Sequence, residues 1–227
     1  MIWAIGDLHF DSTGEKPMDV FGSKWENHEE KIISHWKEVV ASDDLVLLPG
    51  DISWALKLKE SEEDLKKIDS LPGKKIISKG NHDYWWSSLS KLKAMELSTI
   101  EFLHNNSYVY KDVGIYGTRG WISKDTQGFN EKDETIYLRE LNRLKNSLES
   151  NKEVSKKIVM IHYPPFNQDL VPNEFAEVMS EYGVDICIYG HLHSEGHKFV
   201  VEGVIGGVEY RCVSSDYVDF KLQEIII

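Results

Sequence analysis

The stretch Lys79-Gly80-Asn81-His82-Asp83 decides how the rest of the chain is read. The residues before it, Lys74-Lys75-Ile76-Ile77-Ser78, read as the end of a buried strand, and the aromatic pair Trp85 and Trp86 follows almost at once. Three polar side chains therefore stand in a row at the lip of a strand. The same signature, a short apolar run that stops at Gly, Asp or His, recurs along the chain. It is found at Ile2–Ile5 before Gly6-Asp7, Leu45–Leu48 before Pro49-Gly50-Asp51, Ile158–Ile161 before His162, and Val184–Tyr189 before Gly190-His191.

Helical periodicity lies between these runs. Glu29–Ala41 places Ile32, Ile33, Trp36, Val39 and Val40 on one face, and Leu56–Ile68 is charged with a thin apolar stripe. Ser88–Leu97, Thr135–Leu148 and Asn173–Tyr182 are also periodic. Strands that alternate with helices imply an α/β architecture. After Lys198 the pattern changes, and Lys198–Val208, Tyr210–Val213 and Phe220–Ile227 read as successive strands closing a second sheet or its edge. The expectation is a four-layer α/β/β/α sandwich, two mixed β-sheets flanked by helices, built as a single domain over residues 1–227.

Composition narrows the function classes. Of 227 residues, 41% are hydrophobic and 28% charged, as in an ordinary globular protein. No apolar run approaches the ~20 residues of a membrane helix, and the first residues read as a strand and not as a signal peptide. Cys187 and Cys212 sit in apolar runs and read as buried thiols in a reducing cytoplasm, so a cytoplasmic location is expected. The net charge of −12 argues against a general nucleic-acid or anionic-membrane surface. An anionic substrate would then need something local that reverses the field.

In open α/β sheets ligands collect beyond the carboxyl ends of the strands. Asp7, His9, Asp51, Asn81, His82, His162, His191 and His193 all stand at such ends. Their nitrogen and oxygen donors, with no Cys among them, suit Mn, Fe, Co, Ni or Zn. Asp7-x-His9 and His191-x-His193 have period two, so both members of each pair face one way on a strand. So many donors exceed the needs of one metal but suit two divalent ions about 3.5–4 Å apart with one carboxylate shared. Two such ions would turn a local well in an acidic protein cationic and so attract phosphate.

In this order, Asp-x-His, Gly-Asp, Gly-Asn-His-Asp, a lone His and Gly-His-x-His resemble the calcineurin-like metallophosphoesterases, from Asp7 to His193. The resemblance implies a metal-dependent phosphoesterase acting on a phosphodiester or small phosphorylated metabolite. It implies that Asp7, His9, Asp51 and His193 hold one metal, and that Asp51, Asn81, His162 and His191 hold the other, with Asp51 bridging. It gives Asp51 and His82 the catalytic roles, with His82 protonating the leaving oxygen or steadying the transition state. Asn81 and His82 would also meet charge on the phosphoryl oxygens. A catalytically weak metal-binding scaffold and a nuclease of the same fold are the alternatives.

One departure stands out. Many members of that family read Gly-Asp-x-x-Asp-Arg, whereas this chain reads Gly50-Asp51-Ile52-Ser53-Trp54-Ala55. Trp54 replaces the Asp that orients the catalytic His, and Ala55 replaces an Arg that grips phosphate. Asp83 is one candidate to assist His82. Arg119, in Tyr116-Gly117-Thr118-Arg119-Gly120-Trp121, is the candidate substitute for the missing Arg and the third substrate-binding residue, with a surface Arg at a strand end as the other reading. The segments Phe10–Trp25 and Ile122–Asn130 are either substrate-shaping lids or solvated loops. His28, His35, His104 and His197 carry no motif.

Overall fold

A computed structural model describes residues 1–151 and 153–226. Among the described residues, eleven strands and five α-helices follow one another. The strands are β1 (Ile2–Ala4), β2 (Leu45–Pro49), β3 (Lys74–Ser78), β4 (Ile100–Leu103), β5 (Tyr108–Tyr110), β6 (Val113–Thr118), β7 (Lys156–Ile161), β8 (Ile186–Tyr189), β9 (Gly203–Ile205), β10 (Val208–Cys212) and β11 (Gln223–Glu224). The helices are α1 (His28–Val39), α2 (Glu62–Asp69), α3 (Leu89–Lys93), α4 (Glu131–Glu149) and α5 (Glu174–Glu181).

The first sheet has the order β11-β1-β2-β3-β4, with β1 to β4 parallel and β11 antiparallel at the edge. The second has the order β5-β6-β7-β8-β10-β9, parallel in its centre with an antiparallel strand at each edge. Both sheets are therefore mixed. Alternation along each central strand separates three apolar layers. Ile2, Ala4, Leu45, Leu47, Ile158, Met160, Ile186 and Ile188 pack between the sheets. Val46, Leu48 and Ile77 face outward onto Ile32, Trp36, Leu65 and Ile68 of α1 and α2. Val159, Ile161, Cys187 and Tyr189 face outward onto Tyr137 and Leu144 of α4 and Phe175 and Met179 of α5. Burial on both faces explains why these strands read as unbroken apolar runs, and the layering is the expected α/β/β/α sandwich. Cys187 and Cys212 are free and buried. Among the described residues no helix is long and apolar enough to cross a membrane.

The C-terminal third differs from the sequence reading. The stretch expected as one strand, Lys198–Val208, is split: Ser194–Phe199 forms a 3-10 helix, and β9 and β10 form a hairpin. Gly206 and Gly207, at φ 59° and 84°, make a two-residue turn that needs positive φ at both positions. The strand expected over Phe220–Ile227 is reduced to β11, which joins the first sheet beside β1 and not the second; Ile227 lies outside the described residues. The helix expected over Leu56–Ile68 begins only at Glu62, after turns, and that expected over Ser88–Leu97 is limited to α3. Helix α4 starts four residues earlier than Thr135. Asn130 caps it by accepting from the Lys132 amide at 3.0 Å, while the Asp133 carboxylate accepts from the Asn130 amide at 3.1 Å.

Lys75 is a charged residue inside the first sheet's outer layer, with no exposed surface. Its ammonium donates to the Leu71 carbonyl, to the Asp69 carbonyl at 3.3 Å and to Thr99 Oγ1 at 2.9 Å. Burial holds its pKa down at about 8, and Asp69 only partly offsets that. A lysine with a folded pKa below its unfolded value of about 10.4 binds fewer protons when folded, so stability rises as pH climbs from about 8 toward about 10. Denaturation midpoints measured at about pH 7.5 and about pH 9.5 should show the wild-type chain gaining on Lys75→Met. An unchanged difference between the two proteins would refute this.

Candidate metal centre

The turns that leave the strands aim the polar residues at one another. Asp7, His9, Asp51 and His191 adopt left-handed backbone with φ of 57°, 48°, 53° and 74°. For residues other than glycine this conformation costs on the order of 1–3 kcal/mol each and persists only where the surroundings enforce it. Two glycines make the close approach possible. A Cβ on Gly80 would lie 2.1 Å from Asp51 Oδ1, and one on Gly190 would lie 2.5 Å from Asp7 Oδ2.

Asp83 fastens the turn after β2 to the turn after β3. Its buried carboxylate accepts from the amides of Gly80 (2.7 Å), Asp51 (2.9 Å) and Ile52 (2.8 Å) and from Trp85 Nε1 (3.0 Å). It is therefore a fastener of backbone and is turned away from His82. The Asp51 carboxylate in turn accepts from the His82 amide at 2.8 Å.

Every residue expected at a metal site arrives in one cluster. Asp51 Oδ2 lies 3.8 Å from His9 Nε2 and 3.5 Å from His162 Nε2. Asp7 Oδ1 lies 3.6 Å from His193 Nε2 and 3.8 Å from His162 Nδ1. Asn81 Oδ1 lies 2.7 Å from His162 Nε2 and 2.9 Å from His191 Nδ1. Two groups, Asp7-His9-His193 and Asp7-Asp51-His162, offer donor atoms all within 4.8 Å of one another and could each hold a metal ion. Among the described residues His193 Nε2 and His9 Nδ1 are buried with no hydrogen-bond partner. Such orphaned donors beside paired carboxylates fit divalent cations.

The electrostatics have the same cause. Burial raises the Asp51 pKa far above the usual carboxylate range, and Asp83 and Asp7 add to the rise. Asp7 moves the other way: burial opposes its ionisation, but His193, His162 and His9 together outweigh it. Burial lowers His191 to about 3 and also pushes His162 and His9 down, which leaves neutral imidazoles. His193 stands at about 10, because Asp7 and Asp216 overcome the effect of burial.

Over residues 1–195 the sequence matches the calcineurin-like phosphoesterase family. The chain belongs to this family. No curated protein matches it. Solved structures that share the fold of this calcineurin-like phosphoesterase include two at low identity. A phosphopantetheinyl hydrolase from Mycobacterium tuberculosis has a TM-score of 0.62 at 16% identity, covering 99% of this chain and 95% of that one. A protein of unknown function from Aquifex aeolicus has a TM-score of 0.53 at 19% identity, covering 98% and 94%.

One residue that shapes this phosphoesterase's centre, Asp216, was not singled out in sequence. Asp216 Oδ1 lies 2.7 Å from His193 Nδ1, and its other oxygen accepts from the Ser194 amide at 3.0 Å. His162 Nδ1 is similarly anchored on the Pro49 carbonyl at 3.0 Å. Each contact fixes the ring and leaves Nε2 toward the cluster. Asp216 stands four residues beyond β10, whose sequence alternates apolar and charged residues, so it lacks the strand-end signature that marks Asp51 after β2. Trp54 fills the position of the family's usual Asp: its ring stacks on His9 at 4.8 Å and packs against His82 at 4.6 Å. Trp25 closes the far side, 5.9 Å from the His9 ring and 5.5 Å from the His193 ring. The segment between them carries 3-10 turns at Met18–Phe21 and Ser23–Trp25, and Met18 Sδ lies 3.0 Å from Trp54 Nε1.

Arg119 stands apart from the cluster. Its backbone carbonyl accepts from the His162 amide at 3.1 Å, but its guanidinium lies over the Trp121 ring and 3.6 Å from Glu140 Oε1. His28, His35, His104 and His197 lie outside the two donor groups.

Replacing Asp83 with alanine strands several buried backbone amides that link the two turns. A loss of about 3–5 kcal/mol in unfolding free energy is expected, since each unsatisfied donor costs roughly 1–3 kcal/mol. Chemical denaturation tests this, and a loss below about 1 kcal/mol would contradict the role given to Asp83.

Proposed function

We propose that this calcineurin-like phosphoesterase is a two-metal hydrolase of phosphodiesters or small phosphorylated metabolites. The observation that carries the proposal is the meeting of Asp7, His9, Asp51, Asn81, His162, His191 and His193, drawn from both sheets, around two carboxylates. In this reading Asp7, His9, Asp51 and His193 hold one ion, and Asp51, Asn81, His162 and His191 hold the other. Asp51 is taken as the shared ligand, close to one imidazole from each set, His9 and His162; Asp7 likewise reaches His193 and His162, so metal counting decides between the two carboxylates. When bound, two divalent ions such as Mn, Fe, Zn, Co or Ni supply charge that polarises the phosphoryl group and lowers the pKa of the attacking water.

The chain's own residues do the rest. His82 is half-buried beside the cluster, and burial, with His162 and His193, lowers its pKa. In the proposed mechanism it faces the phosphoryl group and carries the proton to or from the leaving oxygen. Trp54 takes over the orienting task that a carboxylate has elsewhere in the family, by packing instead of hydrogen bonding. The Asn81 amide adds a neutral donor for charge developing on the phosphoryl oxygens.

Beside His191 lies a cavity of about 210 Å³ whose walls include Trp121, Ser123, Tyr163, Phe166, Asn167 and Phe199. Tyr163 packs 4.2 Å from the His191 ring, so this cavity adjoins the cluster. Its lining carries no Asp, Glu, Lys or Arg. Uncharged aromatic and amide walls suit an uncharged organic group joined to the phosphate. An ester of a phosphopantetheinyl group belongs in a substrate screen, because a hydrolase of that name shares the fold.

Elemental analysis separates the roles of the two carboxylates. Asp51→Asn should lose both metals, whereas Asp7→Asn should lose about one per chain, because only Asp51 is shared. Equal losses would assign the bridge wrongly. His82→Ala should retain its metal yet turn over an aryl phosphodiester roughly 10²–10⁴-fold more slowly. Unchanged turnover would remove His82 from the mechanism.

A further inference from the structure

A second polar cleft opens where the ends of β3, β4 and β6 meet α4. Lys79, His104, Thr118, Arg119, Glu140 and Arg143 line it. Three cations thus face one carboxylate in a chain whose net charge is −12. Glu140 is almost wholly buried. It is already fully engaged: Oε1 lies 2.7 Å from Arg143 Nη1 and 3.6 Å from both Arg119 Nη2 and Arg139 Nε, and Oε2 accepts from Thr118 Oγ1 at 2.7 Å. One carboxylate cannot neutralise that many cations, so positive charge is left over in a partly desolvated place.

Two details point to an anionic occupant. Among the described residues Arg119 Nε is buried and has no hydrogen-bond partner. His104 Nδ1 accepts from Trp86 Nε1 at 3.3 Å, and an indole only donates, so a neutral His104 carries its proton on Nε2. The cleft is therefore rich in donors. Its volume of about 20 Å³ holds little more than one water, so an anion would sit at its mouth with an oxygen reaching in, and no nucleoside or other large organic group fits.

The cleft is joined to the metal cluster at both walls. Lys79 precedes Gly80-Asn81, and the Arg119 carbonyl accepts from the His162 amide at 3.1 Å. We propose that this cleft binds a second anionic group of the substrate, a phosphate or a carboxylate, while the first phosphate is held at the cluster. The proposal rests on the phosphoesterase reading for its substrate, though not for its affinity for anions. Arg119 is then a specificity residue for that second group, not a clamp on the phosphate under attack. The acceptor oxygens of the anion would engage Lys79, Arg143 and the free edge of Arg119 as charge-assisted bonds.

The test uses the full chain loaded with Mn²⁺. Calorimetric titration with inorganic phosphate should count two sites in the wild type and one in Lys79→Met. Glu140→Gln leaves more uncompensated positive charge and should bind the second phosphate several-fold more tightly, a gain that a damaged fold would not produce. In turnover, Lys79→Met should raise KM about tenfold for an aryl phosphodiester bearing a second phosphate or a carboxylate, and less than about twofold for the same ester without it, with kcat unchanged. The larger of the two KM effects identifies which anion the cleft prefers. An unaltered phosphate count in Lys79→Met overturns the proposal. So does a lost phosphate site with equal KM effects on charged and uncharged esters, because the cleft would then take only free anions. A wild-type chain that binds two phosphates but turns over no ester would support the anion site and overturn the phosphoesterase reading, so the two failures are distinguishable.

Discussion

Two carboxylates buried beside imidazoles impose the constraint on which the molecule is organised. Asp7 and Asp51 lie almost completely out of solvent, and each has imidazole nitrogens within 4 Å. Asp51 is further pressed by the Asp83 carboxylate, which accepts from its amide across the two turns. A lone carboxylate in that position would sooner be protonated than ionised. The condition that makes Asp51 a poor isolated anion makes it a strong partner for a divalent cation, which relieves the repulsion from Asp7 and Asp83 together.

That constraint explains why the sandwich needs both of its sheets. Asp7, Asp51 and Asn81 leave β1, β2 and β3 of the first sheet, whereas His162 and His191 leave β7 and β8 of the second. The geometry of the cluster is therefore set by how the sheets pack, through Ile2, Leu47, Met160 and Ile188 in the layer between them. Strained left-handed turns at Asp7, His9, Asp51 and His191 can persist because that layer and the Asp83 fastener hold the strand ends in register. Packing far from the chemistry and positioning at the chemistry are thus one problem.

Much of this was legible in the sequence, for a physical reason. Parallel strands buried on both faces give unbroken apolar runs, and their carboxyl ends give abrupt polar stops, so β1, β2, β3, β7 and β8 and the seven donors at their tips stood out together. The strands β4, β5 and β6 did not: β5 is half-exposed, β6 carries two glycines among its six residues, and neither is followed by a His or Asp of the motif set. The short β11 lies inside the stretch read as a strand, Phe220–Ile227; what was not legible is its length and its partner, since it pairs with β1 at the edge of the first sheet. Asp83 could not be resolved by sequence, since only the turn decides whether it faces His82 or the backbone of Ile52. Asp216 was not legible, because it lies four residues past an alternating strand and its weight comes from a contact across 23 residues to His193.

The substitution of Trp54 for a carboxylate follows from the same electrostatics. The cluster already contains Asp7 and Asp51 in close quarters, with Asp83 behind them. A further carboxylate against His82 would raise the imidazole's pKa and add a buried negative charge to the site. An indole between His9 and His82 fixes both rings by contact alone and keeps water from their faces, while burial holds His82 toward its neutral form. Its own N–H is directed to Met18 Sδ, within the segment that also brings Trp25 against His193. Orientation by an aromatic wall therefore links the long segment after His9 to the position of His82, a coupling that a short carboxylate side chain would not create. In the proposed reading, the two adjoining surfaces would divide recognition between them: the uncharged aromatic wall beside His191 would take the organic part of the ester, and the cleft of Lys79, Arg119 and Arg143 would take an anion, so that an acidic chain meets negative charge where its own cations are gathered.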